Sequence, residues 1–569
     1  MITLGINAAF HDCSACLVKD GVVRAAAEEE RFTRVKHGKR PVPFTVWQLP
    51  FHAIAYCLSE AGLTMRDVDH VAYAYDPWLQ LGRRDPSAGI CLPLEPSAQP
   101  AGTPWEELAL AYVVNAPRQL ADGAPHHLRH LFAGPARYQW HFVEHHRAHE
   151  ASAFLAAPFG ECAVLVMDGR GERACTSYGM YDGSHYRRIG QVDYPNSLGL
   201  LYEAVTDHLG FLHSSDEYKV MALAAFGQPV FADRLRDCVR WRGGGVVEVA
   251  QPDWSELFGQ PRAHGEAIGQ RDMDIASSLQ QVLEETVFEL ADWLHVETGA
   301  KNLAMAGGVA LNCVLNGRLR ARGPFADIWV QPAAGDAGTA LGAALWIDSA
   351  GRGHPPRGWT MEHAFLGPSF DEREIARLVA HAGIAYSRPA DIADACAELL
   401  AQGQVLGWFQ GRMEFGPRAL GARSILASPL EPVMQERLNQ LKDREDFRPV
   451  APCVLEEAAG DWFESGGHSP FMLFVDRVRP EKAAQIPAVC HVDGSARVQT
   501  VDAATNPHLH ALLRAFAERT GVPVLVNTSF NTRGEPIVCT PRDALAAFYT
   551  SPLDALALGP FLLEKARAA

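Results

Sequence analysis

Along this chain an alternation of helix-like and strand-like segments stops once and then begins again. The interruption is Gly351-Arg-Gly-His-Pro-Pro-Arg-Gly358, too rich in glycine and proline for a regular element. Before it, apolar strands and helical segments alternate as far as Trp346. After it, helices near Asp371–Ala382 and Ile392–Gln402 precede a strand at Val405–Trp408. A chain of 569 residues also exceeds what one hydrophobic core ordinarily holds. Together these observations predict an α/β protein of two domains, 1–355 and 356–569.

Within the first domain, Thr3–Ala9, Ala15–Lys19 and Val22–Glu28 read as strands, with Lys19-Asp20-Gly21 as a hairpin turn. The stretch Asp76–Pro135 breaks the rhythm and reads as an insertion or lid. No internal repeat is visible. There is no run of about 18 uncharged apolar residues and no signal-peptide pattern at Met1-Ile-Thr-Leu-Gly5. No membrane association and a cytoplasmic location are therefore the expectations. With 67 acids against 51 bases, the net charge of −16 offers no global attraction to phosphate backbones, so no nucleic-acid partner is expected. The twelve cysteines are scattered; Cys13 and Cys16, the one close pair, read as reduced structural thiols.

Chemistry first surfaces at His145-His-Arg-Ala-His149. Residues four apart share one helix face, so both imidazoles can face one point. The apolar run Cys162–Met167 that follows reads as a buried strand delivering Asp168 at its end. Two imidazoles and a carboxylate suit a divalent metal. His126 and His130 repeat the spacing without a strand-end carboxylate and read as a solvated helix end. Asp336 opens the small-residue helix Gly338–Ile347, where helix capping is the better local reading and a fourth metal ligand the alternative. His11, at the turn Phe10-His11-Asp12, can serve as a general base oriented by Asp12, or as a turn histidine bonded to backbone. Gly307 and Gly308, after the strand Asn302–Met305, would let backbone amides approach a phosphate, although such turns also serve packing.

The second domain gathers arginines among glycines in Gly411–Ser424 and adds Lys442-Asp-Arg-Glu445 and Arg448. Guanidinium groups on glycine-rich turns offer bidentate donors to phosphate. Val524–Asn531 reads as a buried strand ending in hydrogen-bonding side chains, as at a binding crevice.

These pieces, in this order, resemble the O-carbamoyltransferases of nodulation and antibiotic biosynthesis. The matching segments are Phe10–Asp12, Glu28–Phe32, Lys36–Gly38, His145–His149, Asp168–Glu172, Lys219–Ala225, Gly307–Asn312, Gly416–Gly421, Lys442–Glu445 and Asn527–Asn531. The Asp76–Pro135 stretch and the loop Ser214–Tyr218 depart from the family pattern.

The resemblance implies an actin-like ATPase domain, akin to the protein that transfers threonylcarbamoyl to tRNA, followed by a YrdC-like domain. It implies that the second domain binds ATP with Mg2+ and carbamoyl phosphate and makes carbamoyl adenylate. The first would then pass the carbamoyl group to a hydroxyl of a small-molecule acceptor, a specialised metabolite or glycoside. Residue by residue, it places His145, His149, Asp168 and Asp336 around a divalent ion, iron(II) by analogy. His11, Asp12 and Lys36 become the catalytic group. Gly307, Gly308, Asn312, Arg418, Lys442, Arg448, Arg497, Asn527 and Ser529 become the binding residues for ATP and carbamoyl phosphate. The competing readings are a tRNA threonylcarbamoylation enzyme, disfavoured by the net charge, and an actin-like binding switch, which needs no metal trio. For assembly, a homodimer is the expectation.

Overall fold

The computed structural model describes residues 1–38, 49–81, 113–114, 116–121 and 137–565. Most of the predicted insertion, and His126 and His130 with it, lie outside the described residues.

The structure is a mixed α/β fold whose first sheet comprises β1 (Ile2–Asn7), β2 (Ser14–Lys19), β3 (Val22–Glu28), β4 (His70–Tyr73) and β5 (Gln139–Phe142). Their order is β3-β2-β1-β4-β5: an antiparallel meander of three, then two strands parallel to β1. At the first hairpin Asp20 and Gly21 both have positive φ, 52° and 80°, as a two-residue turn matched to strand twist requires. Strand β1 ends at Asn7 rather than Ala9, because the Asn7 side chain turns the chain by donating to the carbonyls of His11 and Asp12.

The next strands are β6 (Cys162–Met167), β7 (Ala174–Tyr181), β8 (Tyr186–Asp193), the hairpin β9 (Val239–Gly243) and β10 (Val246–Val249), then β11 (Asn302–Ala306) and β12 (Asp327–Val330). The second sheet runs β8-β7-β6-β11-β12, again an antiparallel meander of three followed by two strands parallel to the first. The topology therefore repeats, although no sequence repeat is visible. Each sheet's last strand leads into a helix: His145–Phe154 after β5, and Ala337–Gly351 after β12. The two helices pack backbone to backbone. A Cβ on Gly342 would overlap the Ala148 carbonyl, and one on Gly5 of β1 would overlap that of Ala340. Only glycine permits so close an approach.

Beyond Gly358 lie β13 (Leu406–Phe409), β14 (Arg423–Ala427), β15 (Ala451–Leu455), β16 (Val475–Arg477), β17 (Ser495–Arg497), β18 (Gln499–Val501), β19 (Val524–Ser529), β20 (Ala555–Leu558) and β21 (Phe561–Glu564). Seven of them form one mixed sheet, β18-β15-β19-β14-β13-β20-β21. It has its own apolar core, in which Trp408, Phe516, Phe530 and Phe548 are fully buried. The helices expected before β13 are present as Glu372–His381 and Ile392–Ala401, N-capped by Asp371 and Asp391.

The two regions are tied through the Glu28–Arg31 segment. The buried Arg31 guanidinium donates to Glu28 and to the Gly416 carbonyl, both at 2.9 Å, while the Gly416 amide donates to the same Glu28 carboxylate at 2.9 Å. Arg34 donates to the carbonyls of Pro536 and Ile537. Cys13 and Cys16 are buried free thiols. No helix among the described residues is long and apolar enough to cross a membrane.

Candidate active site

The repeated topology brings two strand ends and two helix starts to one point. Helix His145–Phe154 presents His145 and His149, the end of β6 presents Asp168, and Asp336 precedes the helix after β12. One ligand atom from each of the four lies within 4.8 Å of all the others. The two Nε2 atoms are 3.2 Å apart. Asp336 Oδ1 lies 3.5 Å from His145 Nε2 and 3.6 Å from that of His149, and Asp168 Oδ2 lies 3.6 and 3.9 Å from the same atoms.

Such spacings surround a point about 2.0–2.2 Å from each atom, the bond length of imidazole and carboxylate ligands to a divalent ion. Both Asp336 oxygens are buried without a hydrogen-bond partner. Leaving buried polar groups unmatched is costly, so the donor set fits a cation. The capping reading of Asp336 is corrected here: its side chain makes no cap bond and faces the cluster.

Supporting contacts fix this geometry. His145 Nδ1 meets the Ala74 carbonyl at 3.2 Å, which aims Nε2 at the cluster. Glu172 accepts the backbone amides of His145 at 2.9 Å and Asp76 at 2.6 Å, holding the helix start; burial lifts its pKa to about 7. Gly308 donates its amide to Asp168 Oδ1 at 2.7 Å. This amide thus orients Asp168 within the cluster and is not free for phosphate, whereas Gly307 (φ +90°) lies against the Met167 backbone, where a Cβ would not fit. Asn312 caps the helix Cys313–Arg322 and pairs with Gln280. Burial opposes charge on His145, Asp168 and Asp336, but the opposite charges outweigh it. His145 is held well above the usual imidazole range, Asp336 well below the carboxylate range and Asp168 at about 2.

His11 stands beside the cluster, its Nε2 3.8 Å from Asp336 and its Nδ1 3.0 Å from Asp12. Burial would lower its pKa, but Asp336 and Asp12 overcome that and raise it to about 10. Asp12, at φ 50°, also meets His37 Nδ1 at 2.8 Å; His37 Nε2 reaches Ser215 Oγ at 3.0 Å, and Lys36 Nζ reaches the same oxygen at 3.5 Å. Asp12, Glu30 and His37 form a second convergence of ligand-type atoms within 4.8 Å, partly exposed and linked by internal hydrogen bonds.

The seven-stranded region contributes the opposite charge. Lys442 Nζ, buried, donates to Ser529 O and Oγ and to Asn531 Oδ1 at 2.6–2.9 Å. Around it stand Arg418, Arg444, Arg448 and Arg497, and Arg418 Nε, Arg444 Nη2 and Arg497 Nε are buried without partners. Burial and mutual repulsion lower Arg418 and Arg444 to about 9 and push Lys442 well below its usual range. Asn527 pairs with Gln499 at 2.7 Å, leaving its own Oδ1 unmatched.

Both ends open onto one cavity of about 1330 Å³. Every site residue read from the sequence lines it except His145, His149 and Gly307, which sit behind its wall. Sequence reasoning missed Arg444 as a site residue, and it missed the contacts of Ser215, Tyr218 and Lys219. The loop Ser214–Tyr218 spans the wall between the ends: Ser215 touches His37, and the Tyr218 ring underlies Arg448 at 4.7 Å. The composition of this loop gives no signal of that role, because its partners His37 and Arg448 lie far away in the sequence.

Two family models match this chain: Carbamoyltransferase N-terminus over residues 2–80 and 126–345, and Carbamoyltransferase C-terminus over 397–565. The chain belongs to the O-carbamoyltransferase family. Nodulation protein NolNO of Sinorhizobium fredii is 38% identical over 99% of this chain and 80% of its own length. An uncharacterised Synechocystis protein, sll1178, is 41% identical over 99% and 96%. The 3'-hydroxymethylcephem-O-carbamoyltransferase of Amycolatopsis lactamdurans is 36% identical over 57% of this chain and 60% of its own. The solved structure of T. kodakarensis HypF matches at a TM-score of 0.33 and 15% identity over 62% and 48%, too little to argue from. As a member of the family, this carbamoyltransferase is an enzyme.

Proposed function

We propose that this enzyme activates carbamoyl phosphate with ATP at the arginine-rich end of the chamber and carbamoylates an acceptor hydroxyl at the other. One observation carries the reading: a cluster built for a cation and a cluster built for anions face a single cavity. We read the duplicated sheets as an actin-like domain and the seven-stranded region as a YrdC-like one, divided near residue 355.

For atoms to balance, carbamoyl phosphate loses phosphate to water, giving carbamate. A carbamate oxygen then attacks the α-phosphorus of ATP, carried with Mg2+, and pyrophosphate leaves. Arg418, Arg444, Arg448, Arg497 and Lys442 neutralise this polyanion, and Asn527 and Ser529 orient it. The carbamoyl adenylate moves within the chamber to His11, which takes the proton of the acceptor hydroxyl as that oxygen bonds to the carbamoyl carbon and AMP departs. Asp12 fixes the His11 ring and Lys36 faces the same space.

A divalent ion held by His145, His149, Asp168 and Asp336, iron(II) in our reading, supplies Lewis-acid stabilisation of developing negative charge. Its charge among those carboxylates would also relieve the field that now keeps His11 protonated. The acceptor is a small molecule with a free hydroxyl, and the enzyme is assigned to the cytoplasm. Incubation of the metal-loaded protein with ATP, carbamoyl phosphate and a panel of hydroxylated acceptors should release AMP and pyrophosphate. Failure to consume ATP in the presence of carbamoyl phosphate overturns the reading.

A further inference from the structure

The five cations at the arginine-rich end repel one another, so each needs something besides its neighbours to hold it toward the chamber. Lys442 is held by Ser529 and Asn531, and Arg444 by Asn439 at 2.6 Å. Arg448 is held differently. Its carbonyl is anchored within its own region by Asn439 and Gln435, at 3.1 and 3.2 Å. Its guanidinium instead lies over the ring of Tyr218, 4.7 Å from the centroid, and 3.5 Å from Glu445. Glu445 in turn is gripped at 2.9 Å by Lys219, which also pairs with Asp216 at 3.0 Å. Two consecutive residues from the region of duplicated sheets thus set the head of an arginine whose backbone belongs to the other.

We propose that Tyr218 and Lys219 are positioning residues for the activation step, completing from the first region an anion subsite whose charged groups come from the second. The inference rests on the reading that this end binds ATP and carbamoyl phosphate. An aromatic face attracts a guanidinium without neutralising it, so the Tyr218 ring positions Arg448 without competing for an incoming anion. A carboxylate in the same place would compete with the substrate. The Glu445 carboxylate, 3.5 Å from Arg448, is drawn more tightly to Lys219 at 2.9 Å, which weakens its competition.

The test measures pyrophosphate formation by the full-length enzyme with carbamoyl phosphate and ATP and no acceptor, water then hydrolysing the carbamoyl adenylate to carbamate and AMP. Wild-type activity in this assay establishes the reading; its absence sinks the reading itself and leaves the positioning idea without a substrate. Given that activity, Tyr218→Leu should raise the KM for carbamoyl phosphate or ATP about tenfold, with kcat changed less than about threefold, as loss of one desolvated cation–π contact implies. Tyr218→Phe keeps the ring face and should stay within about twofold of wild type. Should Tyr218→Leu fail to fold, Lys219→Met carries the test, since it frees Glu445 to neutralise Arg448 and should raise the same KM. Equal losses for the Phe and Leu variants, or a fall in kcat at unchanged KM, overturn the proposal.

Discussion

One end of the chamber gathers buried carboxylates and imidazoles; the other gathers four arginines and a lysine. Asp336 has two buried oxygens without partners, and Arg418, Arg444 and Arg497 each have a buried nitrogen without one. A folded protein rarely keeps such groups unmatched. Each end therefore suits a ligand of opposite sign, a cation in the first case and a polyanion in the second. The ends differ in how they are held. The carboxylate end is rigid, built from strand ends and helix starts with glycine-tight packing between them. The cationic end gathers its charges from loops, a helix end and the edge of a short strand, and one of its arginines is set by residues from the other region.

The comparison breaks most severely if the two ends cannot be disabled separately. Asp336→Asn, or His149→Ala, should lower bound metal and acceptor carbamoylation by about a hundredfold or more. Carbamoyl-phosphate-dependent pyrophosphate release should remain near wild type. Metal analysis of the purified protein beside both assays checks this, and joint loss of the two activities would dissolve the distinction between the ends. Arg418→Ala is the reciprocal case. Loss of a charge-assisted contact to phosphate, worth about 1.5–3 kcal/mol, should weaken pyrophosphate release about ten- to hundredfold while metal content stays unchanged.

The smallest effect sharpens the charge argument. Burial lifts Glu217, on the chamber wall, from its ordinary value near 4.5 to about 7, with Glu203 and Asp216 adding to the lift. A carboxyl raised on folding binds more protons folded than unfolded between those values. Its stabilising share is therefore present below pH 4.5 and is lost as pH rises through 7. Glu217→Gln should raise stability by less than about 1 kcal/mol at pH 5 and by up to about 3 kcal/mol at pH 8. Denaturant titrations at the two pH values measure this, and an identical shift at both would refute it.

Much of the carboxylate end was legible because its signals are local. The apolar run Cys162–Met167 announces a buried strand and Asp168 marks its end; the four-residue spacing of His145 and His149 places two rings on one face. Asp336 misled because a local reading weighs capping against nothing else, whereas the tertiary fold had three ligands waiting for it. Gly308 misled similarly: an amide after a strand is available to phosphate only if no carboxylate claims it, and Asp168 does. The duplicated topology was invisible because strand order constrains which segments are apolar, not which residues they contain. The cationic end was legible as composition, but the pairing of Tyr218 with Arg448 depends on how two distant regions meet.

The glycines at the helix crossing have one more consequence. Gly5 and Gly342 touch no ligand atom, yet they set how near the Asp336 helix lies to β1 and to the histidine helix. The width of the four-residue cluster is thus gauged by the thickness of bare polypeptide, much as a shim sets the gap between two machined parts. A methyl group at either glycine, well away from the cluster, would widen the gap and detune every ligand distance at once.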